Sequence, residues 1–332
     1  MNVVVTGGAG FIGSALSEEM VRLGWEVTVF DNLSSGSLRN LSRLDQLSQS
    51  RTRVIIGDCT RLDDMKRAVQ DSDIVFHFAA NPEVRIELNS PTQCFQQNVY
   101  ATHTVLEAFR ESRARMMVFA STSTVYGDAR ILPTPEDYAP LQPISIYGAS
   151  KLAGEALVGA YCRSFNKHAI IVRLANVIGP KSTHGVVSEF FAMLDKRPKE
   201  LPILGDGSQT KSYIYIDDCV SAIMATLAHS NSSVEVFNIG SEDSISVKTI
   251  GSIVAGLMGL PDTQLKFNGG LGDGRGWIGD VKTMLLDLTK LKSTGWRARL
   301  DSRGAVEETV KHMFQDRSVH LPNEVADTVK IP

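Results

Sequence analysis

Val3-Val4-Val5-Thr6-Gly7-Gly8-Ala9-Gly10-Phe11-Ile12-Gly13 stands at the head of the chain. Three valines before a glycine cluster read as a buried strand, and the amphipathic run that starts at Ser14 reads as a helix, so the glycines occupy a strand-to-helix turn. Glycines at 7, 10 and 13 permit a tight turn, close backbone approach to a pyrophosphate and close packing of helix on strand, with the helix amino terminus facing the anion. About 20 residues on, Asp31 ends the second apolar run, where a carboxylate accepts hydrogen bonds from the ribose hydroxyls of adenosine. A phosphate on that ribose would meet the negative charge. Arg39 and Arg43 do not adjoin the strand end as a phosphate clamp would, so the pattern favours NAD over NADP. Asp58, after the third run, is placed by the same logic to accept from the adenine amino group.

Working outward, apolar runs at residues 26–31, 54–57, 74–78, 116–120 and 169–174 alternate with helical stretches at 14–23, 63–69, 99–110 and 150–165. Strands that are apolar along their whole length have helices over both faces, so the fold class is α/β, a Rossmann-type doubly wound parallel sheet. After Asn176 the texture changes to Gly, Pro and short segments. Residues 1–175 are expected to form the cofactor domain and residues 176–330 mainly a smaller, interleaved C-terminal substrate-binding domain, with 213–240 rejoining the sheet. The tail 315–332 is polar and shows little periodicity.

The 332 residues are 43% hydrophobic and 21% charged, with a net charge of -3, within the range of ordinary globular proteins. No basic patch suggests nucleic acid or a membrane surface as partner, and no apolar stretch spans a bilayer. The short apolar start lacks the basic flank of a signal peptide. Cys59, Cys94, Cys162 and Cys219 are scattered, without the close pairs of a zinc site, so no metal is expected. Reduced thiols and a cytoplasmic location are the corresponding expectations.

Tyr147-Gly148-Ala149-Ser150-Lys151 puts Tyr and Lys four residues apart, on one helix face. An ammonium beside a phenol stabilises the phenolate, which would lower a pKa of about 10 toward working pH and make Tyr147 a general base or acid. Together with the glycine turn, this motif resembles the extended short-chain dehydrogenase/reductase family, in its nucleotide-sugar epimerase and dehydratase branch. The likeness runs in order through residues 6–13, 31–36, 57–58, 77–80, 98–99, 121–127, 147–151, 173–180, 205–218 and 275–280.

The resemblance implies a catalytic set of Thr122, Tyr147 and Lys151. It implies that NAD is held by Gly7, Gly10, Phe11, Ile12, Gly13, Asp31, Asn32, Ser35, Gly36, Asp58, Cys59, Phe78, Ala79, Ala80, Asn98, Ser121, Tyr147 and Lys151. For a UDP-sugar it implies contacts from Arg85, Thr122, Ser123, Thr124, Tyr147, Asn176, Gly185, Val186, Val187, Pro202, Leu204, Lys211 and Arg275. Pro202 and Leu204 match the segment beside the uracil ring, and Asn176 and Arg275 match sugar-diphosphate contacts, where a bidentate guanidinium suits the chemistry. Two departures stand out. Lys211 replaces the family's usual Arg, offering a point charge in place of a planar fork. Arg275 lies two positions further from Asp280 than in the commoner pattern, because Gly276-Trp277-Ile278-Gly279 fills the gap.

Family dehydratases resemble Thr-Asp-Glu where this chain has Thr122-Ser123-Thr124, and decarboxylases retain the Glu. Eliminating water needs that extra acid and base, so hydroxyls alone point to epimerisation at C4 of a UDP-hexose, with Thr122 bonding O4. Glucose/galactose, the N-acetylhexosamines and glucuronate remain open as sugars, because the pocket around Arg85, Thr124 and residues 181–187 cannot be shaped from sequence. A keto-sugar reductase that releases its cofactor, a dehydratase, and a silent NAD-binding regulator are the rival classes. The resemblance also implies a homodimer pairing helices near 99–110 and 150–165, with Val105, Leu106, Phe109, Leu157 and Val158 as the apolar side chains that motivate it.

Overall fold

A computed structural model describes residues 1–47, 51–82, 90–229 and 232–320. In chain order the first part runs β1 (Asn2–Thr6), α1 (Phe11–Arg22), β2 (Glu26–Asp31), α2 (Ser42–Leu47), β3 (Thr52–Ile56), α3 (Leu62–Val69) and β4 (Ile74–His77). It continues with α4 (Pro91–Cys94), α5 (Ala101–Glu111), β5 (Met116–Thr122), α6 (Ile146–Phe165) and β6 (His168–Leu174). The remainder is β7 (Asn176–Ile178), α7 (Val186–Lys196), β8 (Glu200–Leu204), β9 (Thr210–Lys211), β10 (Tyr213–Tyr215), α8 (Ile216–Leu227) and β11 (Val234–Ile239). Then come β12 (Ile245–Ser246), α9 (Val247–Leu257), β13 (Gln264–Asn268), β14 (Thr283–Met284), α10 (Thr289–Ser293) and α11 (Ser302–His320).

Seven strands form one sheet in the order β11-β6-β5-β4-β1-β2-β3, and every neighbouring pair is parallel. The pleat sends alternate residues to opposite faces. Val3 and Val5 therefore join one apolar cluster with α1 and α8, while Val4 joins another with α3, α5 and α6. Helices cover both faces of the central strands, which is why those are apolar along most of their length, whereas Val54 and Ile56 on the edge strand β3 are exposed. From β1 the chain winds outward to β2 and β3, then returns to lay β4 on the other side of β1. The order reverses there, and a crevice opens beyond the carboxyl ends of these two strands.

Val234–Ile239 joins the sheet at its edge, against β6. Tyr213–Tyr215 does not: it pairs in parallel with Asn176–Ile178 as a separate two-stranded sheet. The reason is positional. β7 starts two residues past the end of β6, so its partner lies beyond the main sheet, and β10 leads directly into α8.

The side chains that suggested dimer pairing are used inside the chain. Val105, Leu106, Phe109 and Val158 are buried between α5, α6 and the sheet, and Leu157 packs against them. The apolar breadth of these helices is explained by sheet packing. Phe165 on α6, and Phe95 and Tyr100 in the π-helical turn that leads into α5, are exposed instead.

A buried polar network ties the sheet to the second half of the chain. Arg173 on β6 donates from Nε and Nη2 to the Glu155 carboxylate on α6, at 3.0 and 2.7 Å, with both side chains under a tenth exposed. Its Nη1 reaches the Tyr126 hydroxyl and the Glu136 carbonyl, each at 2.9 Å. The Tyr126 hydroxyl donates to Asn238 on β11, whose amide nitrogen donates to the carbonyls of Thr134 and Asp287. Glu155→Leu leaves a buried guanidinium without its counter-charge and is expected to cost about 3–5 kcal/mol in urea denaturation. Glu155→Leu combined with Arg173→Met should cost less, and a larger loss in the double variant would contradict this account.

Candidate functional site

The crevice beyond β1 and β4 is a cavity of about 290 Å³. Gly7, Gly10, Phe11, Ile12, Gly13, Asp31, Asn32, Ser35, Asp58, Cys59, Phe78, Ala79, Ala80, Ser121, Tyr147 and Lys151 all line it. Gly7 has φ +69, and a Cβ there would stand 2.7 Å from the Ala79 nitrogen; a Cβ at Gly13 would stand 2.1 Å from the Gly7 carbonyl oxygen. Only glycine lets the turn approach the loop after β4, and α1 approach the turn, this closely. Gly10 is the helix N-cap and provides no side-chain hydrogen bond, so the first-turn amides present their positive end to the cavity.

Asp31 is held in place by two amides, Ala9 donating to Oδ2 at 3.0 Å and Leu33 to Oδ1 at 2.8 Å. Gly36 sits behind it: a Cβ there would meet Asp31 Oδ2 at 2.9 Å. Asp58 takes both the amide and the hydroxyl of Thr60 at 2.8 Å. Asn98 is buried off the cavity. Its side chain bonds both backbone groups of Asn81 and the Ser150 hydroxyl, so it braces the loop after β4 against the helix that carries Tyr147.

Tyr147 lies in the first turn of α6, whose N-cap Ser145 accepts from the Gly148 amide at 3.0 Å. Its hydroxyl lies within the electrostatic reach of the Thr122 side chain. Lys151, one turn on, donates to the Ala120 carbonyl at 2.8 Å and lies 5.1 Å from the centre of the Phe119 ring. Burial pushes the Tyr147 phenol up to about 12, with Cys94 adding to the rise and Thr122 opposing it. Burial likewise pushes the Lys151 ammonium down to about 8. The spacing of Tyr and Lys suggested a lowered phenol pKa; the structure gives the opposite direction, because desolvation of the phenolate outweighs what favours it. His77 is pushed by burial down to about 3, so it is neutral, and it bonds the hydroxyls of Thr6 and Thr102.

The described residues implied for the sugar, apart from Tyr147, are not among those lining this cavity. Thr122, Ser123 and Thr124 follow one another at the carboxyl end of β5 and into the next turn, where Thr122 Oγ1 accepts from the Thr124 amide at 3.2 Å. Asn176 Nδ2 donates to the Ser212 carbonyl. Pro202 and Leu204 are on β8, with Leu204 exposed. Gly185 caps α7 with open space where a Cβ would stand, Val186 is half-buried, and the Val187 side chain is in the core. Lys211 Nζ donates to Asp280 at 2.6 Å. Arg275 pairs with Asp128 at 2.8 Å and with Asp273 at 2.7 Å. Arg85 lies outside the described residues.

Residues 181–184, which sequence reading put beside the sugar, line the cofactor cavity. Lys181 is fastened there by Glu18 at 2.6 Å and the Asn40 carbonyl at 2.8 Å. Asn40 is a lining residue that the motifs did not reveal. Its amide donates to the Ala9 carbonyl across 31 positions, a contact with no local signature. Ser34, Gly57, Thr60, Pro82, Gln97, Ala101, Ala120 and Leu174 line the cavity as well and were not among the residues implied for the cofactor. Among the described residues no cluster of three or more His, Cys, Asp or Glu side chains could hold a metal, and no helix is long and apolar enough to cross a membrane.

A parallel sheet that reverses at β1 and β4, a glycine turn at that point and a carboxylate ending β2 define a Rossmann-type dinucleotide-binding protein. The chain belongs to the NAD dependent epimerase/dehydratase family, which residues 3–240 match. It is 31% identical over 328 residues to the UDP-glucose 4-epimerase of Mycolicibacterium smegmatis, covering 96% of this chain and all of that one. A crystal structure of a UDP-galactose 4-epimerase is 40% identical, with a TM-score of 0.84 over 95% of this chain and 99% of its own. The UDP-glucose 4-epimerase of Thermotoga maritima, solved with UDP-glucose, is 30% identical, with a TM-score of 0.85 over 96% of this chain and all of its own. NAD is the family's cofactor, and the glycine cradle, the uncapped start of α1 and Asp31 fit it.

Thr122 holds the Tyr147 pKa down, so Thr122→Val is expected to raise it. Carbon NMR titration of labelled tyrosine checks the direction, and an unchanged or lower value in the variant would remove Thr122 as the partner.

Proposed function

We propose that the protein interconverts the C4 epimers of a UDP-hexose, with UDP-glucose and UDP-galactose as the leading pair. The observation that carries this reading is the Tyr147 phenol in the cavity wall, its pKa opposed in its rise by Thr122, with hydroxyls and no carboxylate at positions 122–124. When bound, NAD supplies an acceptor for the C4 hydride and returns that hydride. Tyr147 takes the proton from O4, and Thr122 bonds the same oxygen, which keeps the proton path between two side chains. Lys151 brings a positive charge into a site where burial opposes the phenolate, and so lowers the cost of that state. The resulting 4-keto sugar turns over while its nucleotide diphosphate is gripped, and Tyr147 then returns the proton to the inverted alcohol. Without an acid at 123 or 124, no group is in place to drive loss of water across C5 and C6.

Residues 1–175 hold the cofactor and residues 176–330 mainly hold the nucleotide sugar, with 213–240 returning to the first part through β11. UDP-glucuronate and the UDP-N-acetylhexosamines are the alternative substrates of the same machinery. Four free cysteines suit a reducing cytoplasm. The protein is a homodimer through α5, α6 and the turn before α5, where Phe95, Tyr100 and Phe165 are exposed. Sedimentation at micromolar concentration should give twice the chain mass, and a monomer would remove the pairing.

Incubation with UDP-glucose, UDP-galactose, their N-acetylated forms and UDP-glucuronate, without added cofactor, should yield a C4 epimer visible by NMR. Tyr147→Phe should keep its fold and its NAD yet lose roughly 10² to 10⁴ in kcat, because only the proton-transferring oxygen is removed. Wild-type turnover in that variant, or no product from any of the sugars, would overturn the assignment.

A further inference from the structure

The two departures from the family pattern lie far apart in sequence and meet in space. Lys211 Nζ stands 5.6 Å from the centre of the Trp277 ring and 2.6 Å from Asp280 Oδ1. Trp277 belongs to the four residues that separate Arg275 from Asp280. That segment is folded back on itself: Asp280 Oδ2 accepts from the Gly276 amide, the Asp280 amide donates to the Trp277 carbonyl, and Arg275 Nη1 reaches the Asp280 carbonyl. The Asp280 side chain is 1% exposed, whereas Asp128 and Asp273, which hold Arg275, are 44% and 51% exposed. An arriving anion can therefore displace the two outer carboxylates from Arg275, but Asp280 stays where it is.

A guanidinium orients itself, because its planar fork makes paired hydrogen bonds; an ammonium on a flexible four-carbon stem has no such preference. At Lys211 the direction has to come from neighbours. Asp280 supplies one fixed contact. An aromatic face attracts a cation without neutralising it, and so supplies a second contact that leaves the charge available to an anion. We propose that Trp277 is a positioning residue that aims the Lys211 ammonium at the diphosphate of the nucleotide sugar, so that the inserted segment replaces the orienting role of the missing planar fork.

This rests on the UDP-sugar reading above, and the test separates the two. Titration calorimetry with UDP on the NAD-loaded protein should show Trp277→Leu weakening UDP by about tenfold, with Trp277→Phe recovering most of the loss. KM for the sugar nucleotide should rise with it while kcat stays within about twofold, the signature of lost ground-state binding. In a Lys211→Met background, Trp277→Leu should cause no further loss, because the ring acts through the ammonium. Unchanged UDP affinity in Trp277→Leu, or an equal loss with Lys211 absent, would overturn the positioning role. A wild-type protein that binds no UDP would overturn the substrate reading, and this inference with it.

Discussion

The buried pair of Arg173 and Glu155 fixes how the helix that carries Tyr147 and Lys151 sits against the sheet. Glu155 lies on the helix that carries Tyr147 and Lys151, and Arg173 lies on the strand next to the one that ends in Ser121 and Thr122. Glu155 also accepts from the Ser121 hydroxyl, so one carboxylate joins α6, β5 and β6. A buried charge is tolerable only with its counter-charge and its hydrogen bonds in place, so few rotations of α6 satisfy the pair. The rotation that does so turns the Tyr147 and Lys151 face toward the cavity. Tyr126 and Asn238 extend the constraint to the segments holding Thr134 and Asp287, and thereby to the second half of the chain.

Much of this was legible in the residues because it is local. The strand-to-helix glycine turn is a contiguous pattern whose physical reason, the approach of Gly7 to Ala79 and of Gly13 to Gly7, needs no distant information beyond the presence of a second strand. Apolar runs without alternation gave away a sheet covered on both faces. What was not legible depends on contacts between distant residues. Whether Val105 and Phe109 face a partner or their own sheet is a matter of which face α5 turns inward, and an apolar stripe reads the same either way. The side of the molecule on which Lys181 emerges is set by Glu18 and Asn40, more than 140 residues earlier.

The electrostatics of the pair at the site followed the same division. Spacing placed Tyr147 and Lys151 on one helix face, and helix geometry alone secures that. The direction of the Tyr147 shift depends on desolvation, which a spacing cannot report. Burial pushes the phenol up to about 12 and the ammonium down to about 8, so it disfavours the charged form of both. For Lys151 the consequence for stability has a definite sign. Between pH about 8 and 10.5 the unfolded chain binds the extra proton, so this group's contribution to stability rises with pH across that window. Below it the ammonium is charged in both states, and the burial penalty is present in full. The site thus holds a cation at neutral pH at a cost to the fold, which a structural lysine placed at the surface would not incur.

That cost is intelligible if the charge acts on a partner that comes and goes, and the loop at residues 276–279 indicates how the two halves are kept in register for it. Gly279, at φ +88, lies against the Ile144 carbonyl and Ser145, the residue that caps α6. The segment that carries Trp277 beside Lys211 therefore also abuts the cap of the helix that presents Tyr147. Arg275 reaches Asp128, just after the turn that follows Thr122, from the other side. On the proposed UDP-hexose reading, a nucleotide diphosphate held by the C-terminal residues and a sugar presented to Tyr147 would both be referred to the contact of Gly279 with the cap of α6, and only the sugar would have to move. For a reaction in which a ketone must show first one face and then the other to the same hydride, fixing the handle and leaving the ring free is the arrangement that the chemistry requires.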